Sequence, residues 1–330
     1  MPTSAGAAYL LWSKPPLPEV DSDDAPPGPR AANDHWLLMD LAKKVSEDLG
    51  EAPFDDAHDV NAGGDGVYVT NGLQVARVRI SRGRASIESG ARADPDAMFD
   101  AISSAGSTAR IEDGTLCLAK PGDKQCTTIV PLPDADTVTW RDVQYTSEHR
   151  VVVSSTEGDT DVHAVGMGVH PIAYVIDGAK KAATRLPLAG VGTSIAVSNT
   201  GRVAWTVAEG GRLRLAVAPL DNVAAAKTYD IGPATAQAEA VCGWGGSRVV
   251  CVVAYVGTLF SVDTLSGTST TLLERNAIWT GFVVSNDGTW VVFLVHDGPD
   301  SNTWHLSPTD KAGAVQALPL DDSAHPLAFL

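Results

Sequence analysis

Leu259-Phe260-Ser261-Val262-Asp263-Thr264-Leu265-Ser266-Gly267 is a short apolar run that stops at an aspartate and turns on a glycine. The ending recurs. Apolar residues run into Asp134, Asp177, Asp221 and Asp263 at intervals of 43, 44 and 42 residues, and Asp310 follows 47 later. A period in the low forties marks a stacked or radial array of small units, each burying its faces against the next. One unit reads as four strands, Ser194–Ser198, Gly201–Val207, Leu213–Leu220 and Thr228–Ile231. The last full unit reads as Gly281–Ser285, Thr289–His296, Thr303–Ser307 and Ala314–Leu320. Polar turns separate the strands, and both strand faces are apolar, as in sheets packed face to face around an axis. The expectation is an all-β propeller with turns at Gly201, Gly246 and Gly288.

Units end near residues 82, 134, 177, 221, 263 and 310, which makes six. Gly6–Trp12 and Pro326–Leu330 are left over. They either complete a seventh blade or close the ring by pairing the termini, so the expectation is a six- or seven-bladed β-propeller. Before the repeats, residues 15–29 form a Pro- and Asp-rich linker. After it, Leu38, Leu41, Ala42, Val45 and Leu49 fall at helical spacing, with Asn33 or Asp34 as cap and Gly50 as stop. This predicts a short N-terminal helical insertion. Asp94-Pro95 predicts a second short helix through Phe99 and Ile102. The expected division is residues 1–50 as strand, linker and helix, and residues 51–330 as the propeller.

The 330 residues carry a net charge of −16, which argues against a general nucleic-acid surface. Twelve acidic and four basic residues lie in the first sixty, an acidic arm suited to solubility or to docking on a basic surface. No stretch approaches the length of a membrane span. Met1–Trp12 has no basic leader region before Lys14, which favours a cytoplasmic location.

The four cysteines bear on that location. Cys117 and Cys126 flank Pro121-Gly122, and Cys242 and Cys251 flank Gly246-Ser247. With two-residue loops at those dipeptides, each pair falls directly opposite in a hairpin, at a non-hydrogen-bonded position where side chains come closest. Two readings stand. One is a pair of cross-strand disulfides in a periplasmic or extracellular protein. The other is two pairs of buried thiols. The spacings do not fit a zinc site.

Little else reads as chemistry. No Gly-x-Ser-x-Gly elbow is present, and Gly63-Gly64-Asp65-Gly66 lacks the lysine and helix of a phosphate loop. Asp55, Asp56, His58, Asp59, Asn61 and Asp65 crowd eleven residues but match a calcium loop poorly. His163, His170, His296 and His305 are scattered near turns. Neither a catalytic residue, a cofactor nor a metal is assigned. Arg77, Arg79, Arg82 and Arg84 make the one basic cluster, a solvated face or a dock for an acidic partner. Trp36, Leu37 and Met39 include residues outside the helical stripe, and Trp and Met are common at interfaces. These seven residues are the candidate partner-binding set, and deletion of residues 1–50 is expected to spare the propeller.

Ser198-Asn199-Thr200-Gly201 followed by Val203-Ala204-Trp205, and Ser285-Asn286-Asp287-Gly288 followed by Val291-Val292-Phe293, resemble the first-hairpin motif of TolB-type, WD-like propeller repeats. Leu259–Gly267 resembles the third-strand motif of the same repeats, and Tyr174–Gly178 is a shorter match. The resemblance covers roughly residues 105–310. Asn199 and Asn286 stand where that motif has proline, and asparagine also favours turns. The resemblance implies a propeller that commonly contacts proteins or carbohydrates, and it implies no catalytic residues. The expected function is a non-catalytic scaffold in a bacterial complex, with another protein as partner. The alternatives are a glycan-active enzyme using the central funnel, with two or more carboxylates, or His with Arg or Tyr, converging on the axis, and an envelope TolB-like binding protein.

Overall fold

A strand that is apolar on both faces needs a sheet on either side of it, and a ring of sheets supplies that without an exposed end. The computed structural model has this form. It describes residues 9–14, 34–54, 57, 59–63, 66–81, 84–92, 100–123, 125–135, 138, 140, 142–157, 170–188, 194–234, 240–253, 257–274, 278–298, 301–320 and 323–330. Seven four-stranded antiparallel sheets surround one axis.

Blade 1 is built from both ends of the chain. His325–Phe329 is its innermost strand, followed outward by Tyr9–Lys14, His35–Asp40 and Val45–Glu51. Blades 2 to 7 follow in chain order, each an up-and-down meander from the axis outward. Their innermost strands are Asp59–Gly63, Ala101–Ile102, Asp142–Ser147, Ile195–Val197, Ala240–Gly245 and Ile278–Val284. Each innermost strand contacts those of the two adjoining blades, and His325–Phe329 closes the circle between blade 7 and blade 2.

The core is a set of seams between blades. Val151 and Val153 pack toward blade 3, while Val152 between them packs toward blade 5. Val249, Cys251 and Val253 likewise face blade 5, and Val250 and Val252 face blade 7. Alternate residues serve opposite seams, so the runs read as unbroken apolar sequence.

The structure corrects the predicted N-terminal helix. His35–Asp40 and Val45–Glu51 are adjacent strands joined by a turn at Lys43-Lys44. Leu38 and Trp36 face blade 2, while Leu37 and Met39 face blade 7. Burial on both faces erased the period of two, and the surviving apolar residues fell by chance at helical intervals. Asp40 turns the chain, its Oδ1 accepting the amide N–H groups of Ala42 and Lys43 at 3.0 Å each. Of the second predicted helix, residues 93–99 lie outside the described residues, and Ala101–Ile102 is a strand.

The repeat markers need one adjustment. Asp177 and Asp263 end third strands, and Asp221 and Asp310 follow third strands by two residues. Asp134 instead follows the fourth strand of blade 3, Thr128–Pro131, and its Oδ2 accepts the Tyr174 hydroxyl at 3.0 Å. Blade 1 carries the marker at Asp40.

Both cysteine pairs are joined at disulfide distance, with Cα separations of 5.3 Å for Cys117–Cys126 and 4.1 Å for Cys242–Cys251. Cys242 stands directly opposite Cys251, as the two-residue turn at Gly246-Ser247 requires. The first hairpin differs. Cys117 pairs in the ladder with Ile129, and Cys126 lies in a longer turn, so its disulfide staples the loop to the third strand.

Candidate functional site

The seven innermost strands leave an axial cavity of about 490 Å³. Asp59, Asp100 and Asp142 line it from three consecutive blades, each at or just before the start of an innermost strand. Asn61, Gln144, Trp244, Asn199 and Asn286 line it as well, together with Cys242. Among the described residues the lining contains no Lys, Arg or His, and its described ionisable side chains are the three carboxylates and the Tyr145 phenol.

Innermost strands are sheet edges, and their backbone groups have no further strand to bond. Side chains from adjoining blades take that place. Asp59 Oδ2 accepts Ile102 N–H at 2.8 Å, and Asn61 Nδ2 donates to Ile102 O at 3.2 Å. The Gln144 amide does the same across the next seam but one, donating to Ile195 O at 3.0 Å and accepting from Val197 N–H at 2.8 Å. Trp244 Nε1 donates to Ala196 O at 3.0 Å, and Ser194 Oγ accepts from Cys242 N–H at 3.3 Å. Asp142 Oδ2 accepts from Gln144 Nε2 and from Ser154 Oγ, which orients the amide. Asp100 Oδ2 accepts Ile111 N–H at 2.5 Å from the neighbouring strand of its own blade.

Tyr145 stands apart from this pattern. It is 7% exposed, and its buried hydroxyl has no hydrogen-bond partner. Burial first, then the negative charges of Glu148 and Asp59, push its phenol far above the ordinary value. Tyr145 is therefore neutral at any physiological pH.

The sequence-predicted partner residues are not gathered in one place. Trp36 and Met39 are each 1% exposed. Trp36 packs edge-on against Phe54 at 5.4 Å, and Met39 packs with Leu37 toward blade 7. Arg77 lies over the Tyr68 ring, 5.0 Å from its centroid, and Arg79 pairs with Glu88 at 3.5 Å. Arg84 is exposed at the start of the outermost strand of blade 2, and Arg82 lies outside the described residues. So do Asp55, Asp56, His58, Asp65 and His163. His296 bonds Asn302 at 2.7 Å, and His305 stacks on Phe293. Among the described residues no group of three or more His, Cys, Asp or Glu is arranged to hold a metal ion. Sequence reasoning missed the channel residues, because convergence on an axis leaves no local spacing. The one available signal was the polar residue placed at or near the start of three successive innermost strands.

No family model matches the chain. No curated protein matches it either. Solved structures do. A candidate 6-phosphogluconolactonase of Bacteroides fragilis aligns at 11% identity and a TM-score of 0.54, covering 100% of this chain and 99% of its own. A protein of Lactobacillus plantarum aligns at 11% identity and 0.52, covering 98% of each chain. A candidate TolB of Agrobacterium tumefaciens aligns at 9% identity and 0.42, covering 95% of this chain and 89% of its own. At such identities the likeness is one of fold, and the fold is the β-propeller.

Proposed function

We propose that the chain is a non-catalytic binding propeller that holds another protein and works in an oxidising compartment. The observation that carries the reading is how the axial cavity uses its polar side chains. Asp59, Asn61, Gln144 and Trp244 each bond the open backbone edge of an adjoining blade. Groups held in this way seal seams, and a general base must instead reach a substrate proton. The two disulfides support an envelope or extracellular location over the cytoplasm. Binding then falls to the ends and rim.

The test is capture from the native host with chemical crosslinking, alongside alkylation of the intact cells' protein under denaturing conditions. The expected result is a stoichiometric protein partner and four unalkylated cysteines. Full alkylation would defeat the compartment, and absence of any crosslinked protein would defeat the scaffold role.

A funnel enzyme acting on glycans is the second reading, favoured by the convergence of Asp59, Asp100 and Asp142 with Tyr145 on one cavity. Turnover of a glycan panel that disappears in an Asp59→Asn, Asp142→Asn double variant would select it.

A further inference from the structure

The two disulfides stand in different places. Cys117–Cys126 lies on the outer side of blade 3, where Cys126 is part-exposed in a turn whose Pro121, Gly122 and Asp123 are exposed. Cys242–Cys251 lies inside the ring, in blade 6. Cys242 is on the innermost strand, Ala240–Gly245, and Cys251 is directly opposite on the second strand, Arg248–Val253.

The two sulfurs of this inner disulfide have unlike surroundings. Cys242 is part-exposed and lines the axial cavity. The cavity reaches solvent, since Asn199 and Asn286 in its lining are exposed. Cys251 is 0% exposed. On its far side the third strand, Thr258–Asp263, sets Phe260 opposite it, and Ala204, Leu213 and Leu215 of blade 5 are buried in the same cluster. The seam seals one sulfur and the cavity reaches the other.

Direction matters as well as access. A thiolate attacks one sulfur of a disulfide and expels the other, entering along the extension of the S–S bond. This bond crosses the ladder from the second strand to the innermost one. Its extension beyond Cys242 runs toward the axis and into the cavity. Its extension beyond Cys251 runs toward the third strand, where Phe260 is buried. Among the described residues only the first path is open to a nucleophile.

We propose that Cys242 is a modification site for low-molecular-weight thiols, which enter the axial cavity and exchange with the Cys242–Cys251 disulfide. The thiolate sulfur bonds Cys242 Sγ as the Cys242–Cys251 bond breaks. The electron pair leaves with Cys251 Sγ, which takes a proton. The products are a mixed disulfide on Cys242, with the thiol's substituent in the cavity, and a thiol at Cys251. Return attack by the Cys251 thiolate on Cys242 Sγ expels the small thiol and restores the first bond. A second small thiol can instead attack the small thiol's sulfur, releasing a symmetrical small disulfide and leaving both cysteines reduced. The hairpin outlasts the exchange, because six residue pairs align its two strands from Ala240 opposite Val253 to Gly245 opposite Arg248. The inference rests on the cysteine pairs being bonded, as the oxidising compartment requires.

The experiment starts from the purified full chain, oxidised and checked for two disulfides by intact mass. It is treated with 2-mercaptoethanol in native buffer, quenched with iodoacetamide and mapped by peptide mass spectrometry. The expected pattern is the mercaptoethanol adduct on Cys242 with alkylation on Cys251, and no molecules of the reverse pattern. In Cys251→Ala the Cys242 thiol should react with 2-hydroxyethyl disulfide at least about tenfold faster than the Cys251 thiol does in Cys242→Ala, since access to the thiol governs the rate. A thiol carried on a long polyethylene glycol chain should open Cys117–Cys126 and spare Cys242–Cys251. The far-ultraviolet circular dichroism should not change when the inner bond opens. If either variant does not fold, the adduct map on the parent chain decides. An adduct on Cys251, equal rates in the two variants, no adduct on Cys242 until denaturant is added, or a polymer thiol that opens the inner bond as fast as 2-mercaptoethanol would overturn the proposal. Failure of the purified chain to form both bonds would overturn it together with the compartment; every other outcome bears on the proposal alone.

Discussion

Tyr145 shows how a single side chain can be placed by packing and left without a partner. Its ring fills the seam between blades 3 and 4, and its hydroxyl is buried unpaired. An unpaired buried hydroxyl costs about 1–3 kcal/mol of desolvation. The folded-state pKa is raised, so the neutral phenol is the form the fold accepts. The stability linked to it is fully present below the ordinary value of 10.0 and is lost as pH rises above that value. Tyr145→Phe should therefore match or exceed the parent by up to about 1 kcal/mol at neutral pH. The variant should also keep its melting temperature better above pH 10. Melting curves from pH 8 to 12 on both proteins decide this, and a variant that melts lower at neutral pH would mean the hydroxyl has a partner. Gly245 makes a different residue-scale point. A Cβ there would lie 2.1 Å from Ser285 O and 2.8 Å from the Gly288 Cα, so the glycine is required by the approach of blade 7 and not by its own turn. Sequence alone shows the glycine but not the neighbour that demands it.

At the scale of elements, blade 1 is the joint of the ring. Tyr9–Lys14 pairs on one side with His325–Phe329 and on the other with His35–Asp40. Residues before 51 supply three of its four strands, so removal of residues 1–50 strips the blade and exposes the seams on either side. The expectation that the propeller survives this deletion gives way to its opposite. Circular dichroism of the deletion should show loss of a cooperative melt, and removal of residues 325–330 should do the same because it takes the innermost strand. A cooperative, unshifted melt in either truncation would mean that blade 1 contributes nothing to closure. The innermost strands show the same dependence on neighbours. Their bridging side chains are ordinary polar residues in the sequence, and their role depends on a strand from another blade.

For the whole molecule, charge and turn chemistry act against each other as pH falls. Lys43 holds the Asp40 carboxyl below its ordinary range, chiefly by a side-chain hydrogen bond. The Lys180 amide does so first for Asp177, and the Arg212 guanidinium for Asp230. A depressed carboxylate contributes stability that is present above the ordinary value of 3.8 and is lost as pH falls through the folded value. Asp230 is exposed, and Asp40 and Asp177 are part-exposed with solvent-exposed lysine partners, so each contribution is small. Above that range the net charge of −16 repels itself and is relieved toward the sequence pI of about 4.7. The melting temperature should rise modestly from pH 7 toward pH 5 and then fall below pH 3.8. A steady decline from pH 7 downward would mean that self-repulsion is unimportant.

What the chain determined by itself was the blade: the forty-odd-residue unit, its glycine turns, and the opposition of Cys242 and Cys251. Hairpins pair residues a few positions apart, so their register is written in local spacing. The pairing of residues 9–14 with 325–329 joins the two ends of the chain and leaves no such pattern. Tertiary structure alone decided that His35–Asp40 is a strand, because burial on both faces hides the alternation that identifies one. It also decided that Asp59, Asp100 and Asp142 share a cavity and that Gln144 and Trp244 bond the strand Ile195–Val197 from either side. Those groupings follow from the closure of seven units about one axis, which brings together equivalent positions that lie about forty residues apart in the chain.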